Sequence, residues 1–261
     1  MPGESVPAST SSKPRRASKT PRESAAEETV PAKRSRLEPD AVKLKRKAKA
    51  DFKSAQVSSA GLALLDSAGQ AAWLKAQYTA TTKSSFLEHE ELTGGSVLKL
   101  GDETARLQQQ VQQHVPDWQQ LCGFARTSRS LASPSILIIS ASAPRANDLA
   151  KLLPDIGKAC KVGKLFAKHF KVEEQQAVLK AQGIFVAVGT PNRLLKLADL
   201  GDLHMTHLKL LMIDVLLDAK QRTILDIPET ASDFWKFYDA HCKTRVTDGE
   251  CKIALVDAAR G

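Results

Sequence analysis

Residues 184 to 197 read Ile-Phe-Val-Ala-Val-Gly-Thr-Pro-Asn-Arg-Leu-Leu-Lys-Leu, and the reading of the fold starts there. Ile184 to Val188 is a short apolar, β-rich run, the pattern of a strand buried on both faces of a parallel sheet. Gly189 permits a tight turn. Thr190 suits a helix N-cap, and Pro191 suits the first helical position, where its missing N–H would have had no partner anyway. Leu194, Leu195 and Leu197 then supply an apolar helix face. The stretch is strand, turn and helix, with Thr190 and Arg193 at the open helix N-terminus. Backbone N–H groups, a hydroxyl and a guanidinium can converge there on a phosphate. An ordinary capped helix of an α/β domain fits the same residues.

The pattern repeats on either side. Ser135-Ile-Leu-Ile-Ile-Ser140 is a second buried strand, and Ala141 to Leu153 is a loop opening a helix with Leu149, Leu152 and Leu153 on its core face. Gly157 to His169 reads as a strand and a basic loop, and Val172 to Ala181 as a helix. Leu208-Lys-Leu-Leu-Met-Ile-Asp214 is a strand ending in a carboxylate. Helices around 220–242 and a strand at Cys251 to Val256 close the chain. Upstream, residues 102–121 form a glutamine-rich helix that ends near Pro116 and Trp118 or restarts after the proline. Strand and helix alternate, which predicts an α/β fold: one parallel sheet between helices. Ligands of such sheets gather at the carboxyl ends of the strands. The loops Ser140–Arg145 and Gly189–Arg193 and the residue Asp214 all follow strands, so they belong to one rim.

Composition bounds the rest. The chain has 261 residues, 42% of them hydrophobic, so a core can form, and its net charge is +9. Residues 1–53 carry 14 Lys/Arg against 7 Asp/Glu, so the basic character belongs mostly to this segment. That segment is rich in Ser, Thr, Pro and Ala and poor in large apolar residues, which predicts a disordered basic tail. Two clusters stand out in it: Lys33, Arg34 and Arg36, then Lys43, Lys45, Arg46, Lys47 and Lys49. They read as a nuclear import signal, a nucleic-acid-binding arm, or both. Residues 54–92 read as a helical lead-in, and 93–261 as the α/β domain. Trp73 and Tyr78 are read as helix-packing residues, as are Phe234, Trp235 and Phe237.

Several chemistries lack their residues. No apolar run approaches the ~20 residues of a membrane span, and no secretory h-region is visible. The four cysteines, 122, 160, 242 and 251, form no CxxC pair and no zinc spacing with histidine, so reduced, mostly buried thiols are expected. His204 and His207 lack further ligands nearby, so no metal and no cofactor is expected. Thr93-Gly-Gly-Ser-Val-Leu-Lys-Leu has neither the spacing nor the Lys-Ser/Thr pair of a phosphate loop and reads as a turn.

Three elements resemble, in order, the first RecA-like domain of DEAD-box RNA helicases. Ala143-Pro-Arg-Ala-Asn-Asp-Leu-Ala is similar to that family's Pro-Thr-Arg-Glu-Leu-Ala motif. Gly189-Thr-Pro-Asn-Arg-Leu is similar to its Thr-Pro-Gly-Arg motif. Leu208 to Asp214 is similar to the strand leading into Asp-Glu-Ala-Asp. In that family the first two motifs grip the RNA backbone. The resemblance implies Pro144, Arg145, Gly189, Thr190, Pro191 and Arg193 as candidate RNA contacts. The departures bear on catalysis. No Gly-Lys-Thr loop is present, and Val215 stands where the family places the glutamate that positions the attacking water. Phosphoryl transfer depends almost wholly on such positioning and charge. Asp218 does not replace the missing groups.

A further resemblance covers roughly residues 86–261. Lys161-Val-Gly-Lys-Leu-Phe-Ala-Lys-His-Phe-Lys-Val, the Val-Gly-Thr-Pro-Asn-Arg turn, the Leu-Met-Ile-Asp strand and Asp226-Ile-Pro-Glu229 are similar to the Cms-type proteins. Those are eukaryotic factors of the small-subunit pre-ribosome with a degenerate helicase-like domain. The likeness implies a non-catalytic assembly factor in the nucleus and nucleolus. Its partners would be pre-ribosomal RNA, small-subunit pre-ribosome proteins and a nuclear import receptor. Lys164 and Lys168, with Lys161, His169 and Lys171, add a basic patch as RNA candidates or as a solvated face. A pure protein-interaction module is the alternative, and an ATP-dependent helicase is disfavoured by the missing residues.

Overall fold

The computed structural model of the chain describes residues 61–83, 90–100, 107–126, 132–168 and 170–257. The tail, its basic clusters and His169 lie outside the described residues. Five strands form one parallel sheet: β1 (Ile136–Ile139), β2 (Val162–Leu165), β3 (Val186–Gly189), β4 (Leu210–Asp214) and β5 (Lys252–Val256). Their order across the sheet is β2-β3-β1-β4-β5. The register pairs Ile139 with Gly189 on one side and with Ile213 on the other, so the three strand ends lie side by side.

The helices follow the alternation read from the sequence. They are α1 (Ser67–Thr82), α2 (Leu107–His114), α3 (Trp118–Arg126), α4 (Ala143–Lys151), α5 (Pro154–Ala159), α6 (Val172–Ala181), α7 (Pro191–Asp199), α8 (Pro228–Phe237) and α9 (Lys243–Thr247). The glutamine-rich pattern does break at Pro116, between α2 and α3. Several boundaries differ from expectation: the strand read at Ile184–Val188 is Val186–Gly189, and the one read at Leu208–Asp214 starts at Leu210. Gly157 lies within α5, and the strand after it is confined to Val162–Leu165. The helices near the C-terminus begin with a 3-10 turn at Ile224–Asp226, and α8 continues into a π-helical turn at Tyr238–Cys242.

Strands β1, β3 and β4 are buried on both faces, the edge strand β2 exposes Lys164, and successive side chains point to opposite sides. Leu137 and Ile139 of β1 join Ala187, Leu211, Ile213, Ile253 and Leu255 on one face. Leu74 and Tyr78 of α1, Leu194 and Leu197 of α7, and Phe234, Trp235 and Phe237 of α8 cover that face. Ile136 and Ile138 join Val186, Val188, Leu210, Met212 and Ala254 on the other, under α2 to α5. Each such fully buried aliphatic side chain contributes about 1.5–3 kcal/mol by burial, which is why short strands hold here. The ring of Tyr78 meets Trp235 edge-on at 4.5 Å, so the aromatics pack as expected.

The cysteines depart from expectation. Cys122 of α3 and Cys160, just after α5, are joined as a disulfide, with Cα atoms 5.7 Å apart. A separation of 38 residues carries no spacing signature, and the pair meets only because both helices cover the same face of the sheet. Cys242 and Cys251 are buried thiols as expected, and burial pushes both up, Cys251 to about 12.

Candidate functional site

The rim read from the sequence exists. Gly189 ends β3 where a side chain has no room: a Cβ there would lie 2.6 Å from the Leu165 carbonyl oxygen and 2.7 Å from Leu194 Cδ2. The glycine therefore lets β2, β3 and α7 converge. Thr190 N–H donates to the Leu165 carbonyl at 3.2 Å. Thr190 occupies the N-cap of α7 and Pro191 its first turn, but the threonine hydroxyl makes no capping bond. Its carbonyl accepts from Arg193 N–H and Leu194 N–H, both at 3.0 Å.

The two arginines point inward. Arg145, on the first turn of α4, forms a bidentate pair with Asp214 at the end of β4: Nε to Oδ2 at 2.9 Å and Nη2 to Oδ1 at 2.8 Å. Ser140 Oγ donates to the same Oδ2 at 3.0 Å. The side chains of Arg145 and Asp214 are only 10% and 3% exposed. Beyond them stands Asp257. Its carboxyl is pushed up, first by partial desolvation and then by the Asp214 carboxylate, while Arg145 pulls it down.

Arg193 is buried in a second network. Its Nη1 donates to Gln175 Oε1 at 2.5 Å and to the Phe170 carbonyl at 3.1 Å. Gln175 Nε2 in turn donates to the carbonyls of Lys164 at 2.8 Å and Phe166 at 3.1 Å. The buried Gln175 of α6 thus ties the carbonyls of Lys164 and Phe166 to Arg193 of α7. Both guanidinium groups are therefore bonded to partners inside the rim. Loss of the Arg145 guanidinium would leave the Asp214 carboxylate buried without its charge partner, which is costly, so the arginines hold the rim together from inside.

What faces outward is a cleft of about 380 Å³ between the start of α4 and the loop after β2. Ala143, Pro144, Asn147, Lys164, Phe166 and Phe170 line it, together with Lys168 and Asp148. Of the candidates named from the sequence, Pro144, Lys164 and Lys168 meet in this cleft, and Gly189, Thr190, Pro191 and Arg193 stand behind it. Lys164 Nζ donates to Asn147 Oδ1 at 3.0 Å. Asp148 pairs with Lys151 at 3.1 Å, which offsets its charge. Phe170 is 38% exposed and meets buried Phe166 edge-on at 5.7 Å. The sequence reading passed over Gln175, Asn147 and Phe170. Gln175 lies in a polar helical stretch, and nothing in its neighbours distinguishes it.

A family model described as CMS1, U3-containing 90S pre-ribosomal complex subunit, matches residues 17–256. Protein CMSS1 of Danio rerio is 35% identical over 174 residues, 66% of this chain and 59% of that protein. Protein CMS1 of Chaetomium thermophilum is 40% identical over 127 residues, 48% of this chain and 51% of that protein. Protein CMSS1 of Homo sapiens is 30% identical over 183 residues, 70% of this chain and 64% of that protein. The chain thus spans between 51% and 64% of the length of these three relatives. Among solved structures, a DEAD box protein from Methanococcus jannaschii is similar at 18% identity and a TM-score of 0.37, covering 54% of this chain and 35% of that one.

Proposed function

The chain belongs to the CMS1 family, described as U3-containing 90S pre-ribosomal complex subunits, and from that premise we propose that it is a non-catalytic assembly factor of the small-subunit precursor, acting in the nucleolus. The observation that carries the RNA part of this reading is the rim cleft, where exposed Lys164 and Lys168 stand beside Pro144 at the carboxyl ends of the strands. Lysines there offer point charges to phosphates, and the helicase-like motifs lie directly behind them. The basic clusters at Lys33–Arg36 and Lys43–Lys49 serve as an import signal and as a second, sequence-independent RNA arm.

The non-catalytic part rests on Asp214. Both of its oxygens accept bonds from Arg145, and one accepts a further bond from Ser140. A carboxylate clasped in this way is not available to organise a metal-bound nucleotide, and the next residue is Val215, which is buried. A second reading, a protein-interaction module, is favoured by the apolar share of the cleft, Ala143, Pro144, Phe166 and Phe170.

The deciding experiment is in-cell ultraviolet crosslinking of the tagged protein, with sequencing of bound RNA and mapping of the crosslinked peptides. Pre-ribosomal RNA crosslinked to peptides spanning Pro144 or Lys164 to Phe170 supports the RNA-binding rim. Crosslinks confined to residues 1–53 leave the tail as the RNA arm and the domain as a protein platform. Absence of pre-ribosomal RNA removes the RNA reading.

A further inference from the structure

The cleft has a feature that phosphate binding alone does not use. Its lysines stand at the edge, while its walls are an exposed phenylalanine, Phe170, and an exposed proline, Pro144. Phe170 is held in place rather than loose. Its carbonyl accepts from Arg193 Nη1 at 3.1 Å, and its ring rests edge-on against Phe166, which is 4% exposed. The end of β2 and the start of the following loop are pinned by Gln175, through the carbonyls of Lys164 and Phe166. Asn147 places an amide in the lining, its oxygen already turned to Lys164.

We propose that this cleft takes one unstacked base of a single-stranded RNA, stacked on Phe170 and packed against Pro144, with the flanking phosphates on Lys164 and Lys168. The proposal rests on the reading of the rim as an RNA site and names the form of RNA that fits it. A volume of about 380 Å³ lies at the small end of the ~300–1,000 Å³ range of small-ligand pockets. It has room for one base, which would have to leave its stack to enter. Aromatic faces accept any base, and RNA recognition uses single strands whose bases can be splayed out and stacked. The Asn147 amide is suitably polar to meet a base edge.

The test uses the full chain and a fluorescein-labelled 12-nucleotide single-stranded RNA, with a parallel RNA carrying one 2-aminopurine. Binding is followed by anisotropy across a salt series. The wild type is expected to bind the single strand, prefer it to a duplex of the same length, and change the 2-aminopurine emission. Phe170→Ala is expected to weaken binding by roughly tenfold, abolish the emission change, and leave the salt slope intact. Phe170→Trp restores both affinity and emission change. Lys164→Gln with Lys168→Gln is expected to lower the salt slope by about 1.5. If Phe170→Ala binds as the wild type does with the emission change intact, the stacked base is refuted while the phosphate role of the lysines stands. If the double lysine variant keeps its salt slope, the cleft is not the RNA site and both readings fall. Equal affinity for duplex and single strand also overturns the proposal.

Discussion

Replacing Arg145 by methionine tests whether the rim arginine serves the fold or the ligand. In the structure its guanidinium makes two bonds to Asp214, and both side chains are at most 10% exposed. Removing one member of such a pair strands a buried charge and costs about 3–5 kcal/mol, whereas replacing the whole set by apolar groups is close to neutral or better. Ser140 is fully buried and donates to the same carboxylate, so the complete replacement has to include it. The expected order is therefore wild type well above Arg145→Met, with the triple variant Ser140→Ala, Arg145→Met, Asp214→Leu recovering most of the loss. Urea unfolding followed by tryptophan fluorescence and circular dichroism measures it. With a slope of about 2–3 kcal/mol/M, the single variant moves the midpoint down by roughly 1–2.5 M. The salt slope of RNA binding should not change in the single variant if the wild-type guanidinium stays turned to Asp214. A loss below about 1 kcal/mol would mean that the pair behaves as a solvated surface pair. A triple variant as unstable as the single one would refute the stranded-charge explanation. A salt slope lowered by about 1 would return Arg145 to the RNA.

Three further outcomes follow from the geometry. Gly189→Ala should destabilise the domain by about 1–3 kcal/mol, a fall in Tm of several degrees in a thermal scan, because its Cβ would meet the Leu165 carbonyl oxygen at 2.6 Å. Asp257 has a carboxyl pushed up in the folded state, so its charge opposes folding above that raised value and ceases to do so as the pH falls through it toward the unfolded value. Asp257→Asn should accordingly stabilise the protein at neutral pH, with the gain fading in acid, as read from unfolding midpoints across a pH series. The disulfide between Cys122 and Cys160 closes a loop of 38 residues, for which chain entropy gives about 4 kcal/mol. Thiol titration of the unfolded, unreduced protein should find two free thiols, and a reductant should lower the melting temperature.

The sheet was legible because burial on both faces leaves uninterrupted apolar runs, as in Ile136–Ile139. The rim was legible because parallel strands put all their carboxyl ends on one side, so Ser140, Gly189 and Asp214 had to meet. The direction of the arginine side chains was not. A guanidinium aimed at a phosphate and one aimed at a buried carboxylate 69 residues away leave the same local pattern. Gln175 was hidden for a related reason: its role comes from the carbonyls it happens to face, not from its neighbours in sequence. Cys122 and Cys160 were misread because their meeting depends on helix packing across the sheet, which spacing does not encode.

The turn at Thr93–Ser96, read simply as a turn, has a larger consequence. The segment after it runs beside β5 as a single rung: Ile253 N–H donates to the Ser96 carbonyl at 2.9 Å and Leu98 N–H to the Ile253 carbonyl at 2.7 Å. Lys252 Nζ reaches back to the Gly95 carbonyl at 2.8 Å like a latch. An uncovered edge strand is a template on which other extended chains can grow. This one rung occupies backbone groups on the outer edge of β5 that would otherwise be open to pairing with another extended chain.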